Sequence, residues 1–275
     1  MGKGEGIGGL DVRGAREPVR LSYPVAPDPI AELPSSAFSD PAKAARHEAR
    51  LRRIRRWRRP LTRRRDRLRA WINMLFVDHG IFRAVYPNMH RITARAWRAA
   101  QPLPHQIRRF ARAGGVAVVS LRGGQMFGSL PLEIETCAAE GLAFHTIVLR
   151  SRGLPERDEL LAILDALDGL ATPVLFHCKS GADRAGFMAG LWLIAMEGGR
   201  AADALDQLSI RYGHFKGAKT GVLDAFFEAY AAEGEARGLA FRDWVATAYD
   251  PAAIQAGFRP RRLGVAIADR LLGRE

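Results

Sequence analysis

A cysteine, Cys178, stands six positions before an arginine, Arg184, in the run His177-Cys178-Lys179-Ser180-Gly181-Ala182-Asp183-Arg184-Ala185-Gly186. Those residue types in that order suit one kind of chemistry. Successive backbone N–H groups of a tight loop of small residues converge on an anion, and the first turn of a following helix adds free N–H groups and the positive end of its dipole. The same field favours a thiolate at Cys178, a nucleophile able to attack phosphorus. Arg184 supplies a planar fork for two oxygens of a phosphoryl group and stabilises the charge of the transition state. The loop is therefore read as a phosphate cradle with a nucleophile in its floor, its lining being Lys179, Ser180, Gly181, Ala182, Asp183 and Arg184. The plainer reading makes Cys178 a small core residue and Arg184 an ordinary cation. It is disfavoured because a helix dipole repels an arginine in the first turn unless an anion sits there.

Such a loop needs a strand to deliver the cysteine and a helix to receive the arginine. Residues 173–176 (Pro-Val-Leu-Phe) have the composition of a buried strand, and 186–196 is apolar all round, as in a central buried helix. Further strands are predicted over 116–121 and 144–149, with helices over 104–113, 131–139 and 156–170. This alternation, with apolar central strands, predicts an α/β fold whose mostly parallel central sheet is flanked by helices on both faces. Helices over 201–208 and 223–232 follow, then an amphipathic stretch around Phe241, Trp244 and Tyr249.

The segment His177, Cys178, five further residues and Arg184 resembles the signature of the cysteine-dependent protein tyrosine and dual-specificity phosphatase superfamily. Upstream, Trp97-Arg98-Ala99-Ala100-Gln101-Pro102 and the stretch from Gly115 to Gly123 are similar to atypical bacterial dual-specificity phosphatases, and the resemblance covers roughly residues 76–250. It implies a phosphatase-type fold and a phosphomonoesterase working through a phosphocysteine on Cys178, held by Arg184, with neither metal nor cofactor. Most members carry Ser or Thr after the arginine, where a hydroxyl helps the thiolate leave; here the residue is Ala185, which implies slow breakdown of the intermediate. The family's general-acid aspartate belongs on a loop that reads Arg150-Ser151-Arg152-Gly153-Leu154-Pro155 here, with Ser151 at its place. Glu156, Asp158 and Glu159 follow, where a first helical turn explains carboxylates by itself. Asp183 is the remaining candidate acid, as in a bacterial subgroup with Asp-Arg at the end of the loop; a carboxylate that merely shapes the loop is the equal alternative. Lys179 is either a second cation of the pocket floor or a solvated rim residue, and His177 is expected to orient the backbone.

The two cysteines, Cys137 and Cys178, imply no disulfide framework. Cys137 reads as a packing residue, with a redox partnership to Cys178 as the lesser alternative. Neither a signal peptide's apolar core nor a membrane-spanning run is present, so a cytoplasmic protein, peripheral on the inner membrane surface, is expected. The net charge is +13, and thirteen arginines between Arg46 and Arg69 against Glu48 and Asp66 make +11 of it, leaving +2 elsewhere. Leu51, Ile54 and Trp57 recur there at helical spacing, predicting a basic amphipathic helix with its apolar side in an anionic membrane surface. A solvated helix packed on the body is the plain alternative, and nucleic-acid backbone is the lower-ranked polyanion.

The expected organisation is thus a disordered segment over 1–45, an arginine-rich helical segment over 46–75 and a phosphatase-like domain over 76–275. Asp78-His79 beside Gly80 reads as a turn. The expected partner is a phosphorylated protein or a phosphorylated lipid. The rival functions are a weakly active phosphate-binding module, an RNA 5′ phosphatase and, more remotely, a sulfurtransferase.

Overall fold

The computed structural model describes residues 40–123 and 126–260. Its sheet has five strands in the order β1-β2-β5-β3-β4: β1 (His90–Arg91), β2 (Ala96–Ala100), β3 (Ala117–Ser120), β4 (Ala143–Thr146) and β5 (Val174–Cys178). Only β1 runs antiparallel, at one edge; β2, β5, β3 and β4 are parallel. Strand β5 lies at the centre with all five residues buried, which is why it reads as an unbroken apolar run. The sequence does not announce β2: Arg98 interrupts it, and its alanines favour strands weakly. The strand expected over 144–149 ends at Thr146, although Ile147 and Leu149 still donate backbone bonds to Ser120 and Leu121.

The helices, in chain order, are α1 (Pro41–Trp57), α2 (Arg64–Ile72), α3 (Gly80–Val85), α4 (Pro104–Arg112), α5 (Ser129–Ala139) and α6 (Arg157–Asp168). After β5 come α7 (Asp183–Glu197), α8 (Ala201–Asp206), α9 (Val222–Ala229), α10 (Phe241–Thr247) and α11 (Pro251–Gly257). Helix α7 is buried between the sheet and an aromatic cluster formed by Phe187, Phe226, Phe227, Phe241 and Trp244. Side chains alternate along a strand, so Val174, Phe176 and Cys178 enter this core while Leu175 enters the smaller one on the other face. Cys137 belongs to that smaller core, where burial pushes its thiol pKa well up. The sheet separates it from Cys178. It packs; it has no thiol partner.

The N-terminal extension departs from expectation in two ways. Helix α1 begins at Pro41, with Asp40 capping the Ala42 N–H at 2.8 Å, so the expected disorder over 1–45 is corrected for 41–45, and residues 1–39 lie outside the described residues. The stripe of Leu51, Ile54 and Trp57 does not face lipid. Ile54 and Trp57 are buried and Leu51 is half-buried; Trp57, Leu61, Ala70 and Met74 form one core with Leu103 and Leu132 of the body. The Leu61 N–H and the Arg67 guanidinium both reach Glu135 of α5 at 3.1 Å, and the Gly128 N–H donates to Asn73 at 2.7 Å. Each such apolar side chain contributes about 1.5–3 kcal/mol on burial, so the helical pair docks on the protein's own core. Residues 46–75 and 76–260 pack as one unit, and the boundary at 76 marks a change of composition only.

Candidate active site

The loop after β5 is held from outside by its carbonyls. Lys179 O accepts the Gln101 N–H at 3.3 Å, and Ser180 O accepts Asn88 Nδ2 at 3.0 Å. Gly181 O and Ala182 O accept Arg98 Nη2 at 2.8 and 3.0 Å. In a trans peptide the N–H points opposite to the C=O. The N–H groups of Ser180, Gly181, Ala182 and Asp183 therefore face away from these anchors, and that of Gly181 lies 3.3 Å from Cys178 Sγ. Cys178 and Asp183 are buried, while Lys179, Ser180 and Arg184 are half-buried. Arg184 sits in the first turn of α7, with its guanidinium in no ion pair or hydrogen bond to a described residue. The structure brings Cys178, the turned amides and Arg184 to the strand–helix junction predicted for them. This arrangement can seat a tetrahedral dianion over a nucleophilic sulfur.

Arg98 is the residue that spacing did not reveal. It is fully buried on β2, beside β5, and its Nη1 also donates to Gln207 O at 2.6 Å and Gln207 Oε1 at 3.1 Å. Its guanidinium lies 3.9 Å from the centre of the Tyr212 ring. Burial draws its pKa down to about 10, against the pull of Tyr212, Cys178 and Asp183, so it stays charged at neutral pH. Two glycines make room. A Cβ at Gly181, whose φ is +76°, would lie 2.5 Å from Ala100 N, and one on Gly186 would meet Gln207 O at 2.6 Å and Arg98 Nη2 at 3.1 Å.

Behind the cysteine runs a buried polar network. His177 Nδ1 lies 3.3 Å from Cys178 O, and its Nε2 makes a 2.6 Å contact with Glu133 Oε1 that is too far off-line to be an aligned hydrogen bond. Glu133 Oε2 accepts Gln101 Nε2 at 2.8 Å, and Gln101 Oε1 accepts Arg122. Arg122 forks both oxygens of Asp78 at 2.9 and 3.0 Å, where Arg83 and Ser129 also donate. Burial raises the Asp78 pKa, but Arg122, Arg83 and Ser129 outweigh it and leave the group below its ordinary value. The turn reading of Asp78-His79 holds for His79, which is left-handed at φ 57°; Asp78 is instead the anionic centre of this network. His177 thus touches the backbone of the cysteine and lies between it and this network.

Asp183 is committed to a second buried chain. Its Oδ1 lies 2.8 Å from His214 Nδ1, and His214 Nε2 lies 2.7 Å from Asp224 Oδ2 on α9. Burial lowers the His214 pKa, yet the two carboxylates outweigh it and raise the pKa above the ordinary 6.5. A histidine pKa raised on folding gives stability that is complete below the unfolded value and is lost as pH rises through the folded one. The stability gap between the wild type and His214→Gln should accordingly narrow from about pH 6 to about pH 9 in denaturant titrations. An equal or wider gap at the higher pH would show that the folded imidazole is neutral.

The upstream carboxylates have structural work. Glu156 is the N-cap of α6, its N–H donating to Glu159 Oε2 at 3.2 Å, and Asp158 lies in the first turn. Ser151 follows β4 in the loop between that strand and α6. Ala185 is fully buried in the main core.

Residues 140–206, from the end of α5 through α8, match the model of the tyrosine phosphatase family. Cys178, Arg184 and the loop between them lie inside that segment. No curated protein matches the chain in sequence. Among solved structures, it is similar to P. aeruginosa TpbA in complex with pTyr (20% identity, 59% of this chain and 92% of the other, TM-score 0.45). It is also similar to PTPMT1 (18% identity, 54% and 99%, TM-score 0.40). A third is the core catalytic domain of the PP-IP phosphatase SIW14 from S. cerevisiae (16% identity, 55% and 89%, TM-score 0.43).

Proposed function

We propose that the enzyme hydrolyses phosphotyrosine or a related phosphomonoester through a phosphocysteine formed on Cys178. The observation that carries this reading is the loop whose four carbonyls are bonded outward, with the Gly181 N–H 3.3 Å from Sγ and Arg184 in the first turn of the helix that follows. Sγ attacks phosphorus, the bond from phosphorus to the leaving oxygen breaks, and Arg184 with the amides holds the equatorial oxygens. Water then attacks phosphorus, the S–P bond breaks and inorganic phosphate departs. Lys179 and Ser180 line the loop from half-buried positions. A phosphate-release panel of phosphotyrosine and phosphothreonine peptides, a lipid phosphate and an RNA 5′ phosphate tests the substrate. Phosphotyrosine should lead; release from the lipid or RNA alone would reassign the substrate, and release from none would leave a binding module.

For Asp183 the geometry favours loop positioning over acid catalysis, because its Oδ1 already faces the His214 ring nitrogen at 2.8 Å. Asp183→Asn should then slow good and poor leaving groups alike. A loss confined to leaving groups of high pKa would restore Asp183 as the acid, since only these need a proton.

A further inference from the structure

Eight of the ten exposed large apolar side chains among the described residues fall between Leu68 and Tyr86. They are Leu68 and Ile72 of α2, Phe76 and Val77 of the π turn that extends it, Ile81, Phe82 and Val85 of α3, and Tyr86 after it. Phe82 is 71% exposed and Val85 85%. Helix α3 packs against the π turn, so the set belongs to one helical pair. This segment is built on the protein's core through Ala70, Met74 and Arg83, yet turns its largest apolar groups outward. Such a concentration marks an interaction surface.

The charge beside it selects the partner. A hollow of about 410 Å³ between α1 and α2 is lined by Arg55, Arg56, Arg59 and Arg69 with one acid, Asp66. A second hollow of about 350 Å³ shares Arg56 and Arg69 with the first, and its walls include Trp57, Ile72, Val77 and Phe127. Cationic and apolar walls are thus contiguous, and the charge has one dominant sign. A protein partner would have to set acidic side chains opposite these arginines one by one. A phospholipid surface instead presents a continuous anionic plane over hydrocarbon.

We propose that α2, the π turn and α3 insert their apolar side chains into an anionic lipid bilayer, with the arginines of α1 and α2 against its headgroups. The lipid-facing residues are therefore Ile72, Phe76, Val77, Phe82 and Val85, in place of the buried Ile54 and Trp57. The patch ends two residues before Asn88, whose side chain holds Ser180 O, so the docked surface is tied through one short segment to the catalytic loop. The proposal stands whichever phosphomonoester the enzyme takes.

The test is flotation of the full chain with phosphatidylcholine vesicles, with and without phosphatidylglycerol. Wild type should float with the phosphatidylglycerol vesicles and stay behind with phosphatidylcholine alone. Phe82→Ser and Phe76→Ser should each weaken binding about tenfold, while hydrolysis of a soluble aryl phosphate is unchanged. A paired Arg55→Gln and Arg59→Gln variant should weaken binding and flatten its dependence on salt. Vesicle binding that the arginine substitutions abolish but the phenylalanine substitutions leave intact would overturn insertion. So would RNA binding that exceeds vesicle binding, or self-association that Phe82→Ser abolishes in the absence of lipid.

Discussion

Cys178→Ser should lower phosphate release on the order of 10⁴-fold or more without unfolding the protein. The sulfur is the attacking atom, and a serine hydroxyl in the same place lacks the thiolate's nucleophilicity at neutral pH. Structurally the change is small, because Sγ accepts one contact, from the Gly181 N–H at 3.3 Å, and the loop's anchors lie elsewhere. Inorganic phosphate should bind the variant and the wild type alike and protect both against thermal unfolding. Rates on an aryl phosphate, followed with thermal melts in phosphate, check both halves. A variant with near-wild-type turnover would remove Cys178 from the chemistry.

Arg98→Lys should be nearly as damaging although Arg98 is placed behind the loop and does not line it. One guanidinium serves Gly181 O, Ala182 O, Gln207 O and Gln207 Oε1. An ammonium on a flexible stem cannot reach all four, and a buried carbonyl left without a donor costs about 1–3 kcal/mol. Freed carbonyls would let the peptide planes rotate, so that amides no longer converge on the phosphate. Misplacement of about 1 Å costs roughly 10²-fold in rate. The expected result is a large fall in denaturation midpoint and a fall in kcat of about that size. A stable Arg98→Lys enzyme with normal kcat would show that the loop holds its shape unaided.

The catalytic loop and its strand and helix were legible because they are local. Residues 174–196 carry buried strand, tight turn and buried helix in one uninterrupted stretch, and the chemistry of Cys178 and Arg184 is written into their spacing. The anchors were not legible because sheet order, not spacing, makes them neighbours. Asn88, Arg98 and His214 meet the loop from 31 to 92 residues away. One signal was present for Arg98, an arginine set between alanines and a tryptophan in a segment otherwise fit for burial. The extension misled for a physical reason. A stripe of Ile54 and Trp57 among arginines has the same period whether it meets lipid or the protein's own core, where Trp57 joins Leu103 and Leu132, and only tertiary packing decides between them.

Rapid acid quench of wild type with an aryl phosphate, followed by mass spectrometry of the peptide that holds Cys178, tests the mechanism most directly. With Ala185 in place of a hydroxyl-bearing residue, breakdown of the intermediate should be the slow step, and a phosphoryl group should accumulate on Cys178 within the first turnover. Phosphate released in that turnover with Cys178 unmodified, or a phosphoryl group on another side chain, would contradict it.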